Sequence, residues 1–161
     1  MAAVSDSSPL IFFGKIGRLD LIHAVFGEVF VPPAVWREVV INGVGKSSAS
    51  EVANATWIQQ RSLPNAWPQR PLPALHPGET ETIILAASYE PPLAVILDDG
   101  PARRAAQQMG LVVVGCGGLL VLAKSQGHLR VVGPLLEALQ SAGLFLSPSA
   151  VSRILARVGE Q

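Results

Sequence analysis

The sequence is short of cysteine, of net charge and of long apolar runs, and each shortage excludes a class of protein. A single cysteine, Cys116, permits neither an internal disulfide nor a cysteine-cluster metal site. Its place in the glycine-rich run GCGG favours a buried thiol over a nucleophile. A formal net charge of +0 provides no overall field that attracts nucleic acid, so any such contact must be local.

No stretch of the chain predicts a membrane span. The most apolar segment, LVVVGCGGLLVLA, is interrupted by glycines and is shorter than the roughly 18–20 residues that a spanning helix needs. The start, MAAVSDSS, lacks the basic flank and the apolar segment of a signal peptide. We therefore expect a soluble, cytoplasmic chain.

The composition predicts one domain over residues 1–161 with a sizeable core. Apolar residues make up 49% of the sequence and charged residues only 15%, which is not typical of disorder. So little surface charge beside so much apolar content also indicates a face buried against another chain. We therefore predict a homodimer.

Short apolar segments alternate with segments of helical pattern along the chain. AAVSD, EVFVP, LAVILDD and LVVVG predict strands, and TWIQQRS predicts an edge strand. PAVWREVVINGVG, residues 33–45, predicts one helix, whereas residues 44–76 are the least regular part, with a surface loop from Pro64 to Pro73. Helical crossovers between strands predict an α/β fold, a three-layer α/β/α sandwich with a central, mostly parallel sheet. Its core would cover about residues 3–128, with C-terminal helices at about 131–158.

Carboxylates flank several of the predicted strands. Asp6 ends the first strand, and the pair Asp98 and Asp99 ends LAVILDD. Glu79 begins the helix before LAVILDD, and Glu38 lies in the helix after EVFVP. Because ligands of a parallel sheet bind at the carboxyl ends of its strands, these five acids could converge on one pocket.

Packed together, the acids would raise one another's pKa unless a cation met them. Mg²⁺ or Mn²⁺ prefers oxygen ligands, can activate water and can stabilise charge on a phosphodiester. The hydroxyls of Ser7 and Ser8 could orient the carboxylates by hydrogen bonds.

Each acid also has an ordinary structural explanation. Glu79 and Glu81 could simply stabilise a helix N-terminus, where each negative charge contributes about 0.3–1 kcal/mol. Glu38 could lie on a solvated helix face, and Asp99 could be only an N-cap. Asp6 is the hardest to explain by capping. The pattern of acids, rather than any one of them, predicts the site.

Four motifs in a fixed order resemble the PIN-domain proteins. The first is the segment Asp6–Ile11, an aspartate followed by two serines, a proline and two apolar residues, and the others are PPAVWREV, GETETIILA and LDDGPARRAAQQMG. The likeness is greatest to the branch related to VapC-type toxins, in which the last acid is doubled as DDxxAR. It covers about residues 3–128. The resemblance implies a Mg²⁺- or Mn²⁺-dependent nuclease that cuts single-stranded RNA, often as a homodimer and often paired with an antitoxin protein.

Carried over residue by residue, the resemblance assigns the catalytic acids to Asp6, Glu38, Glu79, Asp98 and Asp99. Of these acids, all but Glu38 would bind metal, although the resemblance does not decide between Asp98 and Asp99. The hydroxyl of Ser7 or Ser8 would orient the metal-binding carboxylates. The usual Thr-x-Asp is absent, because Ile96-Leu97-Asp98 replaces it. Glu79 also stands where most of the wider family has aspartate.

The nearest cations to the predicted pocket are Arg103 and Arg104, which could bind RNA phosphates or simply lie on a solvated helix face. His76, just before Glu79, could also approach the pocket. We therefore predict a divalent-metal-dependent endoribonuclease acting on single-stranded RNA, as the toxin of a toxin–antitoxin pair. The alternative is a PIN-like nucleic-acid-binding or regulatory module with little catalytic activity, which the altered motif favours. A phosphoacceptor receiver domain fits worst, since no lysine follows the late strand VVVGCGG.

Overall fold

The computed structural model describes residues 1–65, 72 and 74–161, and a parallel sheet lies at the centre of this part of the chain. Its strands run in the order β3-β2-β1-β4-β5, and every neighbouring pair is parallel. The strands are β1 (Ala3–Ser5), β2 (Val29–Val31), β3 (Ile58–Gln60), β4 (Ala94–Ile96) and β5 (Val113–Val114).

Helices cover both faces of this sheet, so the predicted three-layer α/β/α sandwich is confirmed. Alternate residues of a strand point to opposite faces: Ala3 packs with α1, α2, α7 and α8, whereas Val4 packs with α5 and α6. The helices are α1 (Ser7–Lys15), α2 (Asp20–Phe26), α3 (Pro33–Trp36), α4 (Ser47–Asn54), α5 (Pro77–Ala87), α6 (Gly100–Gln108), α7 (Cys116–Ser125), α8 (Gly133–Ser141) and α9 (Pro148–Arg157).

A helix does begin at Pro33 as predicted, but it ends at Ile41 rather than at residue 45, and its hydrogen bonding changes after Trp36. A π-helical turn follows over Arg37–Ile41. The N–H of Asn42 donates to the carbonyl of Arg37 at 2.8 Å, five residues back rather than four. π-helical turns are rare in proteins overall, but many of those that occur lie at functional sites.

The stretch described as least regular contains a helix, α4, that the pattern does not reveal. SSASEVAN has only one large apolar residue, Val52, so no apolar periodicity marks it. The helix forms because Ser48 packs closely on α1: a Cβ on Gly14 would lie 2.6 Å from Ser48 Oγ. The edge strand predicted in TWIQQRS is confirmed as β3, while Pro68, Pro71 and Pro73 of the predicted loop lie outside the described residues.

The C-terminal end of the chain is tied to the main body by Glu160. Its carboxylate accepts hydrogen bonds from the N–H groups of Val132 and Gly133 at the start of α8, and from Lys124 Nζ on α7 at 2.7 Å. In the part of the chain that the structure describes, no helix has the length and apolar character that crossing a membrane requires.

Candidate active site at the carboxyl edge of the sheet

The two central strands bring their C-terminal acids to one edge of the sheet. β1 and β4 are parallel neighbours in register from Ala3 with Ala94 onwards, so Asp6 and Asp98 follow at the same edge. The Asp6 N–H donates to the carbonyl of Ile96 at 3.0 Å, which fixes where α1 begins. The Asp6 carboxylate makes no hydrogen bond that caps α1, so the capping explanation does not account for it.

Three of the predicted acids line one open cavity of about 490 Å³ at this edge. They come from three separate elements: Asp6 from the end of β1, Glu38 from the π-helical turn and Glu79 from the first turn of α5. Gly78 lies between them, since a Cβ there would meet Asp6 Oδ1 at 3.3 Å and Glu38 Oε2 at 3.6 Å. The remaining lining residues are Ser7, Ser8, Ala34, Arg37, Asn42, His76 and Pro77.

The environment of Asp6 disfavours its charged form. Only 6% of the residue is exposed, and this burial raises the pKa of Asp6 to about 7. A hydrogen bond from the Ser7 N–H opposes the shift, whereas the neighbouring charges of Glu79, Glu38 and Asp98 add to it. Burial likewise raises the pKa of Glu79. A cation bound between these two carboxyl groups would favour their ionised forms and so oppose this rise in pKa.

Hydrogen bonds from neighbouring residues orient the carboxylates of Glu38 and Glu79. Ser7 Oγ donates to Glu38 Oε2 at 2.8 Å, so the predicted supporting role of a hydroxyl after the first acid has a geometric basis. The backbone N–H of His76 donates to Glu79 Oε2 at 3.1 Å. Ser8 lies in the cavity wall. Each carboxylate keeps acceptor capacity for a ligand, because an ionised carboxylate can accept about four hydrogen bonds.

Asp98 and Asp99 border the cavity rather than line it, and both have partners. Asp98 accepts hydrogen bonds from Cys116, from its N–H at 2.9 Å to Oδ1 and from its thiol at 2.8 Å to Oδ2. Asp99 caps α6, because its Oδ2 accepts from the Ala102 N–H at 3.0 Å. Asp98 still acts on the pKa of Asp6, and Asp99 on that of Glu79. Cys116 is buried, as its sequence context predicts.

Among the described residues, the arginine that lines the cavity is Arg37, which the sequence interpretation missed. Arg103, the first of the two predicted cations, is half-buried, and its Nη1 donates to the carbonyl of Leu97 at 2.9 Å. Arg104 is exposed and lies beside Pro101, outside the cavity. The five-residue hydrogen bond of the π-helical turn places Arg37 and Asn42 in the same wall. The adjacency of Arg37 to Glu38 was the available sequence signal.

The donor set fits a hard divalent cation. Asp6, Glu38 and Glu79 present carboxylate oxygens around the space that the missing side chain of Gly78 leaves open. Over residues 1–65, 72 and 74–161, no three His, Cys, Asp or Glu side chains stand close enough to form a ready-made metal cluster. Mg²⁺ does not require one, because it keeps several waters and commonly takes one or two carboxylates directly. Fold and site together define a parallel α/β protein with an acidic, oxygen-lined cleft.

Comparison with known proteins names the family. The family model described as "DUF3368: PIN domain" matches residues 2–160, so the chain belongs to the PIN-domain family, whose members are generally nucleases that use divalent metal ions. The PIN-domain resemblance is thereby confirmed. The VapC-related branch stays a prediction.

The fold comparison agrees with the family. A PilT N-terminus domain protein from the hyperthermophilic archaeon Sulfolobus solfataricus is similar in structure, with a TM-score of 0.51 and 14% sequence identity. The likeness covers 91% of this chain and 98% of that one, and at this identity it concerns the fold alone. No curated protein matches the sequence.

Proposed function

We propose that this PIN-domain protein is a divalent-metal-dependent endoribonuclease that hydrolyses phosphodiester bonds of single-stranded RNA in the cavity at Asp6. The observation that carries the proposal is that Asp6, Glu38 and Glu79, from three separate elements, line one open cavity together with Arg37. The nuclease character of the family supports the reaction class.

The side chains of the cavity have distinct roles in this proposal. Asp6 and Glu79 are the buried oxygen donors for Mg²⁺ or Mn²⁺, and Glu38, which Ser7 orients, assists them. A bound ion of this kind would supply an activated water and stabilise the charge that develops on the phosphodiester. Asp98 and Asp99 remain predicted ligands, because each keeps lone pairs beside the hydrogen bonds that it already accepts.

The test is cleavage of a fluorescent single-stranded RNA by the purified chain with Mn²⁺. We expect wild type to cut the RNA, EDTA to stop the reaction and Asp6→Asn to reduce it to background. Glu137→Gln, which neutralises an exposed acid on α8, is the matched control and should retain full activity. The family resemblance implies products with 5′-phosphate and 3′-hydroxyl ends. Equal cleavage by wild type and Asp6→Asn would contradict the proposal.

Arg37 is proposed to bind an RNA phosphate beside the acids. Its guanidinium can form two parallel hydrogen bonds to a phosphate. We expect Arg37→Met to raise the KM for RNA about tenfold while leaving the fold intact, as the loss of one charge-assisted contact would. Arg104→Met is the matched control, because Arg104 is equally exposed but lies outside the cavity. A larger effect of Arg104→Met than of Arg37→Met would contradict the assignment and would indicate that Arg104, as the sequence predicts, binds the phosphate.

A second candidate, a PIN-like module with little turnover, is favoured by the engagement of Asp98. Both of its oxygens accept hydrogen bonds from Cys116. Calorimetric titration with Mn²⁺ separates the two candidates. Binding at or below millimolar metal supports the nuclease, and failure to bind at millimolar metal supports the module.

Partners are also part of the proposal. The resemblance to the VapC-related branch supports a toxin role with an antitoxin protein, and a small neighbouring reading frame that encodes a DNA-binding or short helical protein would agree with it. The apolar composition supports a homodimer. A monomeric mass in solution scattering at micromolar concentration would overturn the dimer.

A further inference from the structure

A second groove, distinct from the cavity at Asp6, lies between the edge strand β5 and helices α7 and α9. Its volume is about 620 Å³. The floor is apolar, formed by the three valines Val112–Val114 of the β5 segment and by Val121 and Leu122 of α7. Val112 is 67% exposed, which is unusual for a valine beside a core strand.

One face of α9 forms the opposite wall. Ala150, Arg153, Ile154 and Arg157 line the groove, and their spacing of three and four residues places them on one side of the helix. Ile154 anchors the wall, because a Cβ on Gly117 of α7 would lie 2.5 Å from its Cδ1. The helix has no fully buried residue, so its groove face remains open.

The groove carries uncompensated positive charge. Arg153 and Arg157 are exposed and take part in neither of the salt bridges found among the described residues. Among the described residues that line the groove, the three arginines Arg103, Arg153 and Arg157 outnumber the one acid, Asp98. A ligand with carboxylates would therefore complement this wall.

The free edge of β5 suits an extended chain. β5 is the last strand of the sheet, and the carbonyls of Val112 and Val114 accept hydrogen bonds from β4. Because peptide groups alternate sides along a strand, the N–H and C=O of Val113 face away from β4. An extended peptide can pair with such an edge, placing alternate side chains against the floor.

We infer that this groove binds an extended segment of a partner protein in which apolar residues alternate with aspartate or glutamate. The valine and leucine floor would take the apolar residues, and Arg153 and Arg157 the carboxylates. A nucleic-acid strand fits less well, because the lining residues that the structure describes include no aromatic ring for base stacking. The inference does not rest on the nuclease proposal. Among the described residues the two cavities have no lining residue in common, although Asp98, a predicted metal ligand, lines this groove.

The experiment selects peptides from a random dodecapeptide library on the immobilised full chain, in EDTA so that metal chemistry plays no part. Selected peptides are synthesised, and their affinities are measured by fluorescence anisotropy. Three variants are compared with wild type: the double substitution Arg153→Glu with Arg157→Glu, the groove-filling Ala150→Trp, and Arg130→Glu, an exposed arginine outside the groove. Circular dichroism verifies that each variant is folded.

We expect the selected peptides to be enriched in Asp or Glu alternating with Val, Ile or Leu. Their binding should weaken about tenfold in the double variant, as reversal of interface charges does. It should also weaken in Ala150→Trp and be unchanged in Arg130→Glu. Selection of no peptides, peptides without acidic enrichment, or equal binding to all variants would overturn the inference. A labelled oligouridine that binds wild type and is lost with the same two arginines would overturn it in favour of a nucleic-acid track.

Discussion

Replacing Asp6 by asparagine should make the protein more stable at neutral pH while removing its proposed activity. Burial raises the pKa of Asp6 from 3.8 to about 7 in the folded chain. Between these two values the unfolded chain has released a proton that the folded chain keeps, so the free energy of unfolding falls as the pH rises from about 4 to about 7 and then stays level. Since one pKa unit corresponds to about 1.4 kcal/mol, the full cost is about 4 kcal/mol.

Asparagine carries no charge and keeps an oxygen that can accept the Ser7 N–H, so Asp6→Asn should avoid most of this cost. Urea unfolding in EDTA at pH 5 and pH 8 measures it: the advantage of the variant should be up to about 2 kcal/mol at pH 5 and up to about 4 kcal/mol at pH 8. Excess Mn²⁺ should then stabilise wild type but not the variant. Glu137→Gln serves as the control. A stability difference that is the same at both pH values would refute the reasoning.

Three further predictions concern other positions. Gly78→Ala should lower the affinity for Mn²⁺ about tenfold in calorimetry, because the added Cβ meets Asp6 at 3.3 Å, whereas Gly118→Ala, with an ordinary 3.6 Å contact, should not. Glu160→Gln should lower the melting temperature near pH 7 but not near pH 2. Hydrogen bonds, above all the one from Lys124, lower the pKa of Glu160 to about 2 in the folded chain. The stability that the ionised Glu160 gives the fold is therefore lost as the pH falls from about 4.5 toward 2. Gly14→Ala should destabilise the fold by about 1–3 kcal/mol in urea unfolding, because its Cβ would overlap Ser48.

The local elements that the sequence predicts well are those with a strong apolar pattern. AAVSD and LAVILDD become β1 and β4, and their parallel pairing follows from the helical segments between them. The apolar pattern of the sequence is weak in segments whose structure depends on tertiary packing. α4 has almost no apolar periodicity and forms because Ser48 fits against Gly14, and the π-helical turn after Trp36 has no signature in PAVWREVVINGVG.

The positions of some predicted acids follow from the sequence pattern, and those of others depend on packing. Asp6 and Asp98 come to one edge because each ends a strand, and parallel strands share their carboxyl edge. Glu38 and Glu79 reach the same cavity through helix starts and the π-helical turn, which sequence spacing does not specify. Which cation accompanies them depends on that turn as well, and it selects Arg37 rather than Arg103 or Arg104.

The sequence by itself determined the class of fold, the strands that carry the acids and the oxygen-rich chemistry of the site, because hydrophobic period and residue type are local properties. Only the tertiary structure decided how these acids are used: Asp6 is desolvated, Glu38 is held by Ser7, and Asp98 is engaged by Cys116. Burial and hydrogen bonding between residues that are 18 or 31 positions apart depend on three-dimensional packing, which local pattern does not encode.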